Sequence, residues 1–147
     1  MSEVYFIIEG RVQPKQRPRV YRNRVTGQTH AVTPKETRAY EEKVRASYID
    51  AVEGQEKLEG ALSMIINIYV QIPKSTPKKA RAKMICGELR PATHTGDIDN
   101  LFKAISDALN GLAYDDDSQI VEGIVRKFYS ETARAEVTIR NLEEVDG

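Results

Sequence analysis

Val4, Phe6 and Ile8 share one parity and Tyr5, Ile7 and Glu9 the other, a pattern that predicts a short strand with at least one buried face. Between 11 and 32 there is no apolar period, and Pro14, Pro18 and Gly27 interrupt the chain, so a long loop or loose hairpin is expected. A helix start follows at Thr33-Pro34-Lys35-Glu36. Thr33 is placed to cap, Pro34 to sit in the first turn, and Glu36 to close a capping box three residues on. Tyr40, Val44, Tyr48 and Val52 recur at four-residue steps, one apolar stripe of a helix that Gly54 would stop.

Leu58 to Ile72 is the clearest strand. Leu62, Met64, Ile66, Ile68, Val70 and Ile72 hold one parity, Ser63, Asn67 and Gln71 hold the other, and Pro73 ends it. Thr76-Pro77 opens a second helix, basic along Lys78, Lys79, Arg81 and Lys83 and closing near Gly87. After a loop over 88–96, a third helix begins behind Asp97 or Asp99, carries Leu101, Ile105 and Leu109, and stops at Asn110-Gly111. Asp115-Asp116-Asp117 reads as a polar turn. Ile120 to Tyr129 and Ala133 to Arg140 then read as two strands of a terminal hairpin, and the acidic tail over about 141–147 is expected to fray. The expected fold is α+β, a mixed sheet of about four strands with flanking helices, in a single domain over 1–147.

Composition narrows the setting. At 147 residues, 40% of them hydrophobic, the chain is too apolar for intrinsic disorder and long enough for one core. Cys86 is the only cysteine, so no intrachain disulfide forms and a reducing, cytoplasmic setting is expected. The apolar stretch around Met64 is broken by Asn67, far short of a ~20-residue span, and Val4 to Ile8 is too short for a signal-peptide core. No membrane partner is expected.

Net charge is zero, 22 cations against 22 acids, but the charges are segregated. Arg11, Lys15, Arg17, Arg19, Arg22, Arg24 and Lys35 form one acid-free run, and Lys74, Lys78, Lys79, Arg81 and Lys83 form a second. From Asp97 to Asp117 there are six aspartates and one cation, Lys103. Two basic segments beside an acidic one suit a polyanion gripped around an acidic site.

The sharpest chemistry lies in Asp97-Ile98-Asp99-Asn100-Leu101-Phe102-Lys103 and Asp115-Asp116-Asp117. In an extended chain, Asp97 and Asp99 project to one side just ahead of a helix, and oxygen donors at that spacing suit Mg²⁺. Each segment also has an ordinary explanation: Asp99 as an N-cap, the triple aspartate as a solvated turn, Lys103 as an i,i+4 partner of Asp99. Other metal templates fail. An EF-hand starting at Asp97 would need an oxygen ligand where Leu101 stands, and one Cys with the distant His30 and His94 makes no zinc site. Cys86 has no nearby His to make it a nucleophile, and Tyr114 suits either the site lining or an anchor of its loop.

Asp97-x-Asp99-Asn100-Leu101-x-Lys103, Asp107-Ala108-Leu109 and Asp116-Asp117-x-Gln119-Ile120-Val121, with Pro14-Lys15-Gln16-Arg17-Pro18-Arg19 upstream, resemble the RusA-like Holliday junction resolvases. The resemblance implies a homodimeric endodeoxyribonuclease that cuts four-way DNA junctions in recombination and repair. It implies Mg²⁺ (with Mn²⁺ able to substitute) held by Asp97, Asp99 and Asp117, with Asp116 as the alternative third ligand and Lys103 as the essential lysine. The three acids are then expected to converge on one cation. Lys15, Arg17, Arg19, Arg22, Arg24, Lys78, Lys79 and Arg81 are the expected DNA contacts. Where a family member has aromatic residues ahead of its first aspartate, this chain has Thr93-His94-Thr95-Gly96. A non-catalytic DNA-binding module on the same scaffold is the alternative, disfavoured because carboxylates facing phosphate weaken a pure binder.

Overall fold

The computed structural model describes residues 2–93 and 95–142, apart from the side chain of Arg19; His94 and the tail over 143–147 lie outside the described residues. Six strands and three helices follow in the order β1 (Glu3–Glu9), β2 (Arg19–Arg22), β3 (Thr29–Val32), α1 (Lys35–Val52), β4 (Leu62–Gln71), α2 (Lys78–Ile85), α3 (Ile98–Leu109), β5 (Ile120–Ser130) and β6 (Arg134–Asn141), with a 3-10 turn at Asp117–Gln119 ahead of β5. β1, β6, β4 and β5 form one mixed sheet in that order, and β2 and β3 a separate two-stranded arm. The fold is α+β, as the sequence pattern leads one to expect.

Period-two patterning sets the core. Leu62, Met64, Ile66 and Ile68 of β4 are fully buried, as are Ala135, Val137 and Ile139 of β6, and Phe6 and Ile8 of β1 join them. Tyr40, Val44, Tyr48 and Val52 bring the stripe of α1 onto this face, where Phe6 and Tyr48 meet edge to face at 5.5 Å. α3 adds Leu101, Ala104, Ile105, Ala108 and Leu109, so its remaining face is left for the site.

Three local expectations are corrected. β5 and β6 do not pair as a hairpin: β4 lies between them, parallel to β5 and antiparallel to β6. The three residues 131–133 cross the end of β4, a distance that fully extended chain covers at about 3.3 Å per residue. At α1 the capping residue is Pro34, with no side-chain cap bond. Pro34 is extended (φ −55°, ψ 147°), which puts Thr33 one residue outside the first turn, and the box with Glu36 does not form. The same helix ends on Glu53 in the left-handed region (φ 43°), one residue before Gly54.

The segment over 11–32 is more ordered than a plain loop. Arg19↔Val32 and Arg22↔Thr29 frame the antiparallel arm, whose strand residues with described side chains are all exposed. Its base is fixed: Lys15 N–H donates to Asn100 O at 2.9 Å, and Gln16 N–H donates to Thr37 Oγ1 at 3.3 Å. The arm therefore springs from the junction of the first turns of α1 and α3.

Candidate active site

α3 begins at Ile98 with Asp97 as its N-cap in extended conformation (ψ 149°), and Asp99 falls in the first turn. Both carboxylates sit at the positive end of the helix, where anionic charge is favoured. Asp97 makes no side-chain cap bond. The extended Asp-x-Asp pairing is not what forms, because Asp99 is already helical, and positions two apart at a helix start do not face one another.

The chain after α3 is folded back by a compact reversal. Tyr114 is fully buried, and its hydroxyl donates to Ser106 O at 2.6 Å, so it anchors the loop to α3. Burial, and next the negative charges of Asp117 and Asp107, hold the Tyr114 hydroxyl well above its usual pKa. Gln119 completes the reversal. Its Oε1 accepts from Asp115 N–H at 2.9 Å and Asp116 N–H at 3.1 Å, while Nε2 donates to Leu58 O and Gly60 O.

These bonds separate the three aspartates. Asp116 accepts from Ser118 Oγ and from Ser118 N–H, and these bonds hold its carboxyl below the usual range. Asp115 pairs with Lys57 at 3.2 Å. Asp117 is left to line a cleft of about 470 Å³ between α3 and β5. Asp99 and Lys103 come from α3 into the same cleft, Glu122 from β5, and Phe102 and Gly123 also line it. A Cβ at Gly123 would lie 2.9 Å from the Phe102 ring, so glycine is what lets that ring close against the strand.

The cleft thus unites Asp99, Asp117 and Lys103; Asp97 and Asp116 are outside its lining. The expected convergence of three acids is not preformed: among the described residues no group of three or more His, Cys, Asp or Glu side chains stands close enough to hold a metal ion. The donor set still fits a hard divalent cation in kind. Asp99 and Asp117 offer carboxylate oxygens only, and Mg²⁺ commonly takes one or two carboxylates and keeps its waters.

The basic residues divide. Lys15 Nζ lies 3.5 Å from Glu41 and 3.4 Å from Asp107 with 20% of its side chain exposed, and Lys103 Nζ stands 4.0 Å from the other oxygen of Asp107. Arg81 pairs with Glu131 at 3.2 Å and ties α2 to the crossing between β5 and β6. Arg17, Arg22, Arg24, Lys78 and Lys79 are exposed and make no ion pair among the described residues. Sequence reading missed Glu122, Phe102 and Lys127. Lys127 donates from β5 to Gly96 O at 2.6 Å, just ahead of Asp97. Its signal was a cation on the parity of Val125 and Tyr129.

A family model described as Endodeoxyribonuclease RusA matches residues 9–140. The chain belongs to the RusA family. It is 38% identical over 149 residues to the uncharacterized protein YqaN of Bacillus subtilis (strain 168), an alignment covering 97% of this chain and 99% of YqaN. RusA membership supports a nuclease of the Holliday junction resolvase type, and the matched span includes both acidic segments and the basic arm. No helix among the described residues is long and apolar enough to cross a membrane.

The division of the cations has a measurable consequence. Lys15→Met leaves the partly buried Glu41 without its cation and Asp107 with only the 4.0 Å contact to Lys103, and should cost about 1–3 kcal/mol in urea unfolding. Arg17→Ala, two residues along, should stay within about 0.5 kcal/mol. Equal effects would contradict the structural role of Lys15.

Proposed function

We propose that the chain is a Mg²⁺-dependent endodeoxyribonuclease that resolves four-way DNA junctions by paired cleavage as a homodimer, all from one domain over 1–147. The observation that carries this is the shared cleft of Asp99, Asp117 and Lys103 in a RusA chain. Asp99 and Asp117 would hold the cation there, and Asp97, whose carboxylate makes no cap bond at the helix start, would be the further carboxylate within the same segment. When bound, Mg²⁺ supplies activation of a water nucleophile and neutralisation of phosphate charge. Mn²⁺ offers the same chemistry.

Lys103 adds a positive charge at the scissile phosphate or leaving oxygen, where it acts most strongly as charge develops. Its Asp107 contact is long and its own side chain is largely exposed, so the ammonium remains able to turn to phosphate. Glu122 closes the wall of the cleft opposite α3 and adds a third carboxylate to its charge. The exposed Arg17, Arg22 and Arg24 of the arm, Arg19 beside them, and Lys78 and Lys79 of α2 grip backbone phosphates. Lys15 and Arg81 act indirectly, by fixing the arm and α2 through their ion pairs. A junction presents two symmetry-related strands, so two protomers with one site each is the economical arrangement. Reducing compartments, where such a DNA substrate lies, suit the lone Cys86.

Cleavage and binding should separate on mutation. Asp99→Asn and Asp97→Asn are expected to lower junction cleavage about 100-fold or more while leaving gel-shift affinity equal or tighter, because a negative charge facing phosphate is removed. Loss of binding together with cleavage would sink the catalytic assignment. Reversing Arg17 and Arg22 to Glu should weaken junction binding and reduce the log–log salt slope by roughly one for each phosphate no longer neutralised, with the melting temperature nearly unchanged. An unchanged slope would remove the arm from the DNA interface.

A further inference from the structure

The arm of β2 and β3 carries more apolar surface than the fold accounts for. Val20, Tyr21, Val25 and Val32 are all exposed, Tyr21 by 52%, and none of them joins the core. Single apolar residues on a surface are ordinary, but four on one short element paired with no other strand make a patch of the kind that marks an interaction site. The arm presents them from a closed tip. Asn23 N–H donates to Gln28 O at 2.7 Å, Gly27 N–H donates to Asn23 O at 2.8 Å, and Asn23 Oδ1 accepts from Val25 N–H and Thr26 N–H. Gly27 supplies the left-handed conformation in this turn (φ +74°).

The register divides the arm into two faces. Tyr21 stands directly opposite His30, and Val32 follows on the same side. Arg22, opposite Thr29, falls on the other side with Val20 and Ala31. Arg24 is exposed at the tip. One face therefore offers a phenol and an imidazole ring, the other a guanidinium, and no acid stands between Glu9 and Glu36. The matching partner is a polyanion with open ring faces. Linear duplex offers phosphates but keeps its base faces stacked, whereas the helical stacks end at the branch of a four-way junction. Position agrees with this partner. Lys15, whose amide is bonded to Asn100 of α3, precedes Arg19 by four residues, at most about 13 Å of chain.

We infer that Tyr21 stacks on a base at the open branch of the junction, with His30 beside it and Arg22 and Arg24 on flanking phosphates, so that the arm distinguishes branched from linear DNA. Every base has a π face, so recognition of this kind reads the branch and asks for no particular base. The inference rests on the nuclease reading above and names the residue that selects the shape of its substrate.

The test is gel-shift affinity, without Mg²⁺, for a four-way junction and for a linear duplex of the same length and arm sequence. Tyr21→Ala should weaken junction binding about tenfold, as the loss of one base–aromatic stack does, and change duplex binding less than about twofold. Tyr21→Phe keeps the ring and should bind as wild type. The residue is exposed, so both variants should melt as wild type does. A second readout places 2-aminopurine at each branch nucleotide in turn. At one position the complex should be dimmer with wild type and Tyr21→Phe than with Tyr21→Ala, since stacking on the ring quenches the base. Equal losses on junction and duplex, no loss on either, or Tyr21→Phe behaving as Tyr21→Ala overturns the inference. So does a fall in oligomeric mass in Tyr21→Ala at unchanged DNA affinity, which would make the arm a contact between copies of the chain. Wild-type junction cleavage without the affinity pattern removes the inference and leaves the nuclease reading standing. The pattern with no cleavage of any junction in Mg²⁺ overturns the nuclease reading alone.

Discussion

Gln119 uses its whole carboxamide to close the turn between α3 and β5: two backbone amides on one side, two backbone carbonyls on the other. The place of Asp117 in the candidate site follows from that closure. A side chain with all its donors and acceptors committed holds a single geometry, since each bond left unmade in this partly buried place would cost about 1–3 kcal/mol. With Tyr114 pinning the loop from beneath, the chain returns beside α3, and β5 starts where Asp117 faces the cleft. The same turn decides among three consecutive aspartates. Asp115 pairs with Lys57, Asp116 caps the 3-10 turn, and Asp117 alone lines the cleft.

A second constraint organises the basic half of the molecule. Lys15 is held between Glu41 of α1 and Asp107 of α3, and its amide is bonded to Asn100. One lysine thereby roots the arm beside the acidic helix start. The arm itself is an isolated pair of short strands, an element with little stability of its own, so its fixed base and free cations fit a part that completes its packing on a partner. On the proposed reading that partner is the DNA, and the arm brings positive charge to the side of the protein where the aspartates repel phosphate.

Much of this is legible from residue patterns, and the failures have physical causes. The parity of β4 and β6 and the stripes of α1 and α3 specify which face each element buries, and those faces form the core. Lateral order is another matter. Period-two alternation says nothing about a strand's neighbours, so β5 and β6 read as a hairpin although β4 lies between them. The capping box at Thr33 fails by one residue because Pro34 stays extended. At the site, the pattern locates the acidic segments and the turn, but spacing alone does not tell which aspartate the turn consumes, since that depends on Ser118 and Gln119. Nor is a run of cations a uniform surface, as Lys15 and Arg81 show. A cation's role depends on which acid the fold brings to it, here residues 26 and 92 positions away for Lys15.

Asp116 and Asp117 divide the labour of the turn, the one capping it and the other lining the cleft. Cleavage of a labelled four-way junction in Mg²⁺ by Asp116→Asn and Asp117→Asn tests this division. Asp117→Asn is expected to lose cleavage, whereas Asp116→Asn, which weakens only a cap worth about 0.5–2 kcal/mol, keeps it within roughly tenfold. Loss in Asp116→Asn with activity retained in Asp117→Asn, or equal loss in both at unchanged fold, would contradict it.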